Sequence, residues 1–293
     1  MADRTGTITA ALAGTIDIGG DLAVNRFGFG AMRITGEGIW GEPADREECK
    51  RVLRRAVALG INFIDTADSY GPEVSERLIA ETLHPYPEDL VIATKGGLLR
   101  PGPGEWEPDG RPEHLRAACE GSLKRLRVEQ IDVYQFHRPD PKVPFEESVG
   151  ALVELKAQGK IRHIGLSNVT VEQVERAQKF TPIVSVQNRY SVFERTSEPV
   201  LDFCSLEQIA FLPWRPVEGG ALVDGAVAQI ARRNNAKPSQ VALAWLLAHS
   251  PVMLPIPGTS RVAHLEENLG AAALELAPAD LAELDKIAPE PRN

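Results

Sequence analysis

The chain has 293 residues, 43% of them hydrophobic and 25% charged, with no low-complexity tract, so a disordered chain is excluded and material for a sizeable core is present. Its longest strictly apolar run, residues 241–248, falls far short of the roughly 20 residues that a membrane helix needs. A net charge of −9 removes any global attraction to nucleic acid or anionic membrane, so a polyanionic ligand would have to be held by local donors.

Residues 1–15 carry no secretory pattern, and Cys49, Cys119 and Cys204 are odd in number, widely spaced and outside any CxxC arrangement. They are expected to be buried, inert thiols in a reducing, cytoplasmic compartment, with neither disulfides nor a metal site. In chain order, residues 1–12 read as a tail. Residues 15–18 and 22–26 flank Gly19-Gly20, a hairpin signal that suits a plug for one end of a larger fold. Short apolar runs follow at residues 27–32, 61–65, 90–94, 131–136, 162–166, 183–187, 209–213 and 252–256. Between them lie helical patterns such as 47–59 and 112–126, and after the seventh run two more, at about 224–234 and 238–248. A last helix is expected at about 279–287. Eight strand–helix cycles with continuously apolar strands predict an α/β fold, a (β/α)8 TIM barrel. It is expected as one domain over residues 1–293, with an N-terminal β-hairpin inside about 1–26 and extra C-terminal helices. The rival doubly wound fold needs GxGxxG after its first strand, and Gly28-Phe29-Gly30 continues instead to Arg33. Long loops at 35–45 and 96–111 are expected to shape a binding site.

Barrel enzymes carry their chemistry where strands end. Asp65, Tyr70, Lys95 and His137 fall at or just after the second, third and fourth runs, which are neighbours in a barrel. A phenol has a pKa near 10, and an adjacent ammonium favours phenolate and lowers it. Asp65 would hold Lys95 charged and aimed, and His137 would orient a substrate oxygen. Singly, each has a plainer role: a helix cap, a loop aromatic, a surface cation, a structural histidine. Their convergence favours catalysis. Asp68 reads as a solvated or capping residue.

Residues 60–71 (GINFIDTADSYG), 159–168 (GKIRHIGLSN) and 256–260 (IPGTS) resemble, in order and spacing, the signature segments of the aldo-keto reductases. The likeness runs from about residue 22 onward. Residues 34–43 and 262–268 (VAHLEEN) are similar to the bacterial branch with pyridoxal reductase and pyridoxine 4-dehydrogenase-like members. The resemblance implies an NADPH-dependent carbonyl reductase whose tetrad matches Asp65, Tyr70, Lys95 and His137. Hydride passes from nicotinamide C4 to carbon, and the tyrosine protonates the oxygen. It further implies that Ser167, Asn168 and Gln187 meet the carboxamide and that Trp214 stacks on the ring. Arg215, Pro216, Val217, Gly219, Gly258, Thr259 and Ser260 would line the phosphates, with Arg261 on the 2′-phosphate and Glu267 and Asn268 near adenine. The chain departs from the family in having Gly258 for a lysine, His264 for an arginine, Arg261 for the serine of close bacterial relatives and Arg215 for a small residue.

Substrate is expected between Trp40 and Trp106, with Arg138 nearby. Either tryptophan alternatively anchors its own loop, and Arg138 alternatively forms a surface salt bridge. The expected reaction is reduction of an aldehyde or ketone, with a pyridoxal-like or another aromatic aldehyde as the candidate substrate. Two other classes stay open: a cofactor-binding regulatory subunit, and an aldolase using Lys95 as a Schiff base. A closed barrel has no free strand edge, so a monomer is the default.

Overall fold

The computed structural model describes residues 7–217 and 225–287. β1 (Thr15–Ile18) pairs antiparallel with β2 (Leu22–Asn25) across Gly19 and Gly20, whose φ angles of +66° and +82° suit glycine. A Cβ on Gly19 would lie 2.5 Å from the His163 ring, so the turn sits tight against the sheet. Asp21 on the turn also bonds Arg162 and His163 at 2.7 and 2.6 Å. Ile18, Leu22 and Val24 join Phe63, Val91, Val133 and Leu254 in one buried cluster. The hairpin therefore plugs the barrel, as expected.

After the hairpin come β3 (Phe29–Gly30), β4 (Phe63–Asp65), β5 (Val91–Gly96), the short pair β6 (Leu98–Leu99) and β7 (Glu107–Pro108), then β8 (Ile131–Phe136), β9 (Ile161–Ser167), β10 (Ile183–Gln187) and β11 (Ala210–Phe211). Seven of them form a parallel sheet in the order β11-β10-β9-β8-β5-β4-β3, while β6 and β7 pair antiparallel within the long 96–111 loop. The helices are α1 (Arg46–Ala58), α2 (Val74–Leu83), α3 (Pro112–Leu126), α4 (Phe145–Ala157), α5 (Val171–Gln178), α6 (Glu198–Glu207), α7 (Ala226–Arg233), α8 (Pro238–His249), α9 (Val262–Leu269) and α10 (Pro278–Asp285). α3 shows how the sequence writes them. Pro112 stands at its first turn, Leu115, Cys119, Ser122, Leu123 and Leu126 form the buried face, and Arg127 ends it in the left-handed region. The helix expected over 224–234 begins at Ala226, and Asp224 lies outside the described residues.

Three expected strands change, the seventh shortening from 209–213 to Ala210–Phe211. The first run shortens to Phe29–Gly30 and turns into a 3-10 helix, Ala31–Ile34. The eighth, residues 252–256, forms no ladder, because Pro251, Pro255 and Pro257 carry no N–H. It closes the ring all the same. Phe211 N donates to Val252 O, Leu254 N to Phe211 O, and Gly28 N to Pro255 O, each at 2.9 Å. Backbones run so close at this seam that a Cβ on Gly258 would lie 2.4 Å from Gly30 O. The fold is the (β/α)8 barrel, and its strands end on one rim at Asp65, Lys95, His137, Ser167 and Gln187.

The three cysteines are buried, and burial pushes the Cys49 thiol up to about 11 and those of Cys119 and Cys204 to about 12, so none is a ready nucleophile. Among the described residues no helix is long and apolar enough to cross a membrane, and no group of three His, Cys, Asp or Glu is placed to hold a metal.

Candidate active site

Parallel pairing sets Asp65 beside Ala93 and Lys95 beside Gln135, so three strands bring the polar residues to one point. Lys95 Nζ donates to Asp65 Oδ2 at 2.7 Å, to Thr66 O at 2.8 Å and to Tyr70 Oη at 3.3 Å, which uses all three of its protons. Lys95 is 0% and Asp65 2% exposed, and two buried charges are tolerated only when every lone pair and proton is satisfied. The second carboxylate oxygen meets that condition. Asp65 Oδ1 accepts from Gln135 Nε2 at 2.9 Å and from Gln187 Nε2 at 2.8 Å. Gln135, fully buried, escaped the sequence reading, although an amide inside an otherwise apolar strand must find a partner and was a usable signal.

Burial works against the charge on Lys95, but Asp65 and Tyr70 outweigh it and hold the ammonium above its ordinary pKa. For Tyr70 the balance falls the other way from the sequence expectation. Burial raises the phenol more than Lys95 lowers it, so the hydroxyl lies above its ordinary value and stays protonated. Lys95 remains the group that makes phenolate less costly. His137 lies beside Tyr70 with ring centroids 5.9 Å apart, and its Nδ1 faces Ser69 Oγ at 3.3 Å. Burial, then the Lys95, Arg138 and Arg100 cations, push the imidazole well below its ordinary pKa, so it is neutral.

Asp68 is not the solvated residue expected. Its Oδ1 is buried with no hydrogen-bond partner among the described residues. Burial, aided by Glu76, pushes the carboxyl up from 3.8 to about 8. A folded pKa above the unfolded one contributes stability below the unfolded value, and that stability is lost as pH rises through the folded one. Asp68→Asn is therefore expected to gain melting temperature relative to the wild type between about pH 5 and pH 9. A difference that stays flat over that interval in thermal melts contradicts a buried proton at this carboxyl.

Among the described residues, two cavities open over Tyr70. One, of about 310 Å³, is lined by Asp65, Tyr70, Gln187 and Trp214, by Arg215, Pro216 and Val217, and by Arg33 and Gly258 across the seam. The other, of about 270 Å³, is lined by Tyr70, His137, Arg138, Trp106, Ser167, Asn168, Ile39 and Leu98. Met32, Tyr70, Gln187, Trp214 and Arg215 line both. Trp214 is held by its indole N–H on Asn168 Oδ1 at 3.1 Å, and Asn168 Nδ2 donates to Ser167 Oγ and to His137 O, each at 3.0 Å.

The remaining expected site residues are more scattered. Thr259 is buried and accepts from Arg261 N at 3.2 Å, while Ser260 and Arg261 are exposed at the start of α9. The first amide of α9, Val262 N, donates to Glu48 Oε1 at 2.9 Å and so is not available to a phosphate. Glu267 accepts from Ser239 Oγ at 3.3 Å, and Asn268 is half-buried one residue on. Gly219 lies outside the described residues. A side chain at Gly258 would strike Gly30 O, and the Arg33 Cγ lies 3.6 Å from where that Cβ would be.

The two tryptophans part company. Trp106 stands edge-on to Tyr70 and His137, each 6.3 Å away. Trp40 lines neither cavity; its backbone bridges Gly71 and its ring faces Arg100 at 5.7 Å, the anchoring role. Arg100 is the second residue that sequence reasoning missed. Its guanidinium sits 3.7 Å over Trp106 and donates to Gly38 O, Ile39 O, Ser69 O and Glu105 O at 2.8 to 2.9 Å, tying three loops together. Nothing local marks it, since its partners come from distant segments.

The model of the Aldo/keto reductase family matches residues 26–289. An uncharacterised oxidoreductase of Schizosaccharomyces pombe is 51% identical over 281 residues, covering 95% of this chain and 91% of its own. The pyridoxine 4-dehydrogenase of Escherichia coli is 43% identical over 278 residues, covering 92% and 97%. Among solved structures, an aldo-keto reductase from Klebsiella pneumoniae in complex with NADPH superposes with a TM-score of 0.79 at 25% identity, covering 95% of this chain and 96% of that one. The site and fold are those of a barrel oxidoreductase. The chain belongs to the aldo/keto reductase family.

Proposed function

We propose that the protein reduces an aldehyde or ketone to an alcohol with NADPH, Tyr70 giving the proton. The observation that carries this reading is the Asp65–Lys95–Tyr70 chain of short contacts at a cavity that also holds a neutral His137. The donor set fits a nicotinamide dinucleotide: Trp214 offers a ring face, Ser167, Asn168 and Gln187 offer amide-type partners, and Arg33, Arg215 and Arg261 offer cations for phosphates. The Klebsiella relative's bound NADPH supports the same choice. Bound there, the cofactor supplies a hydride equivalent to the carbonyl carbon.

The protein's own groups do the rest. With the Ser69 hydroxyl donating to Nδ1, the His137 ring proton resides on Nε2 and serves as donor to the substrate oxygen. Tyr70 transfers its proton as negative charge develops on that oxygen, and Lys95 stabilises the phenolate left behind. Lys95 as a Schiff-base nucleophile is disfavoured, because its amine is held protonated and all three protons are engaged. Trp106 in the lining of the His137 cavity, and the likeness to the E. coli enzyme, favour an aromatic aldehyde of pyridoxal type. Loss of NADPH absorbance with a panel of aromatic and aliphatic aldehydes tests the reading. Turnover of none of them contradicts it and leaves a binding role.

Arg261 is assigned to the 2′-phosphate. A charge-assisted bond contributes about 1.5–3 kcal/mol. Arg261→Ala is therefore expected to raise the KM for NADPH at least about tenfold while leaving that for NADH nearly unchanged. Equal losses for the two cofactors would remove the assignment.

A further inference from the structure

Among the described residues, the charged side chains that line the His137 cavity are both arginines, Arg138 and Arg215, with no carboxylate beside them. That is out of keeping with a chain of net charge −9, in which Arg46, Arg55, Arg111, Arg116 and Arg176 each face an acidic partner. Arg138 makes no hydrogen bond or ion pair among the described residues, so the surface salt bridge considered from the sequence is not formed there. A half-buried guanidinium with no partner among the described residues keeps its N–H donors available to an incoming anion. Arg100, the other cation near the imidazole, has its donors committed to four carbonyls and its face to Trp106, which leaves it no bidentate edge.

Position adds to composition. Arg138 follows His137 directly, so its charge rises from the same stretch of wall as the imidazole assigned to the carbonyl oxygen. Trp106, Ile39 and Leu98 give the same cavity an aromatic and apolar lining. The phosphates of a dinucleotide belong to the other cavity, with Arg33 and Gly258, so Arg138 is free for substrate.

We infer that the substrate is a flat carbonyl compound bearing a carboxylate or phosphate remote from the carbonyl, and that Arg138 binds this anion through paired N–H bonds. The inference rests on the proposed carbonyl reduction and names the substrate class of that same site. The chemistry is unchanged: a hydride adds to the carbonyl carbon, a proton from Tyr70 to its oxygen, and NADPH becomes NADP⁺.

The test compares kcat/KM, at saturating NADPH, for 4-carboxybenzaldehyde, 4-formylphenyl phosphate and neutral methyl 4-formylbenzoate. At least one anionic aldehyde is expected to be favoured about tenfold or more over the ester, and which one separates carboxylate from phosphate. The preference is expected to shrink as salt is added and to fall to about one in Arg138→Gln, with Arg138→Lys intermediate. A wild-type ratio at or below one for both anions overturns the inference, with no variant needed. So does a preference that Arg138→Gln leaves intact. Turnover of the ester without preference sinks only this inference, whereas failure to reduce any of the three sinks the reductase reading itself.

Discussion

Tyr70→Phe lowers kcat by about two to four orders of magnitude, the usual worth of a positioned general acid, and barely moves stability. The substitution removes one oxygen and keeps the ring, so the edge contacts with Trp106 and His137 persist. Lys95 loses a contact of 3.3 Å and keeps its shorter bonds to Asp65 and Thr66. The loss should therefore fall on the chemical step. Single-turnover reduction of an aldehyde, with NADPH binding measured separately, distinguishes the two. A variant within about threefold of wild-type kcat would remove the phenol from the mechanism.

Lys95→Met is expected to strike both activity and stability. Removing one member of a buried ion pair leaves the other charge uncompensated and costs about 3–5 kcal/mol. Asp65 keeps the Gln135 and Gln187 donors on Oδ1, so the low end of that range applies. The developing phenolate loses its cation as well, and kcat should fall by about two to three orders of magnitude. The double substitution Asp65→Leu with Lys95→Met separates the effects. With neither charge left to bury, stability returns toward wild type while activity stays lost. Urea unfolding that finds Lys95→Met as stable as the wild type would show that the pair does not carry the charges assigned to it.

Much of this site could be read before any coordinates. Asp65, Lys95 and His137 stand out because each is polar and closes a run of buried apolar residues, where an unpartnered polar group is costly. The hairpin was equally plain, since Gly19-Gly20 between two short alternating runs leaves few other conformations. What escaped depended on three dimensions. Arg100 draws its acceptors from separate loops, and Ser69 meets His137 across 68 residues, so neither has a local signature. The run at 252–256 looked like a strand, but its flanking and internal prolines prevent a ladder even though it fills the eighth place. Asp68 and Tyr70 were misjudged for one shared reason. Polarity is written in the residue type, whereas the balance between burial and neighbouring charge is set by the fold.

Proton donation in this site depends on the Lys95 ammonium easing loss of the Tyr70 proton, and the alkaline limb of the kcat–pH profile measures that directly. The acid form of Tyr70 is needed, so kcat falls as the phenol ionises, and the limb marks where that happens. Without Lys95, burial and the Asp65 charge act unopposed, so the limb of Lys95→Met should lie at higher pH than that of the wild type. Limbs that coincide in the two proteins would contradict the account.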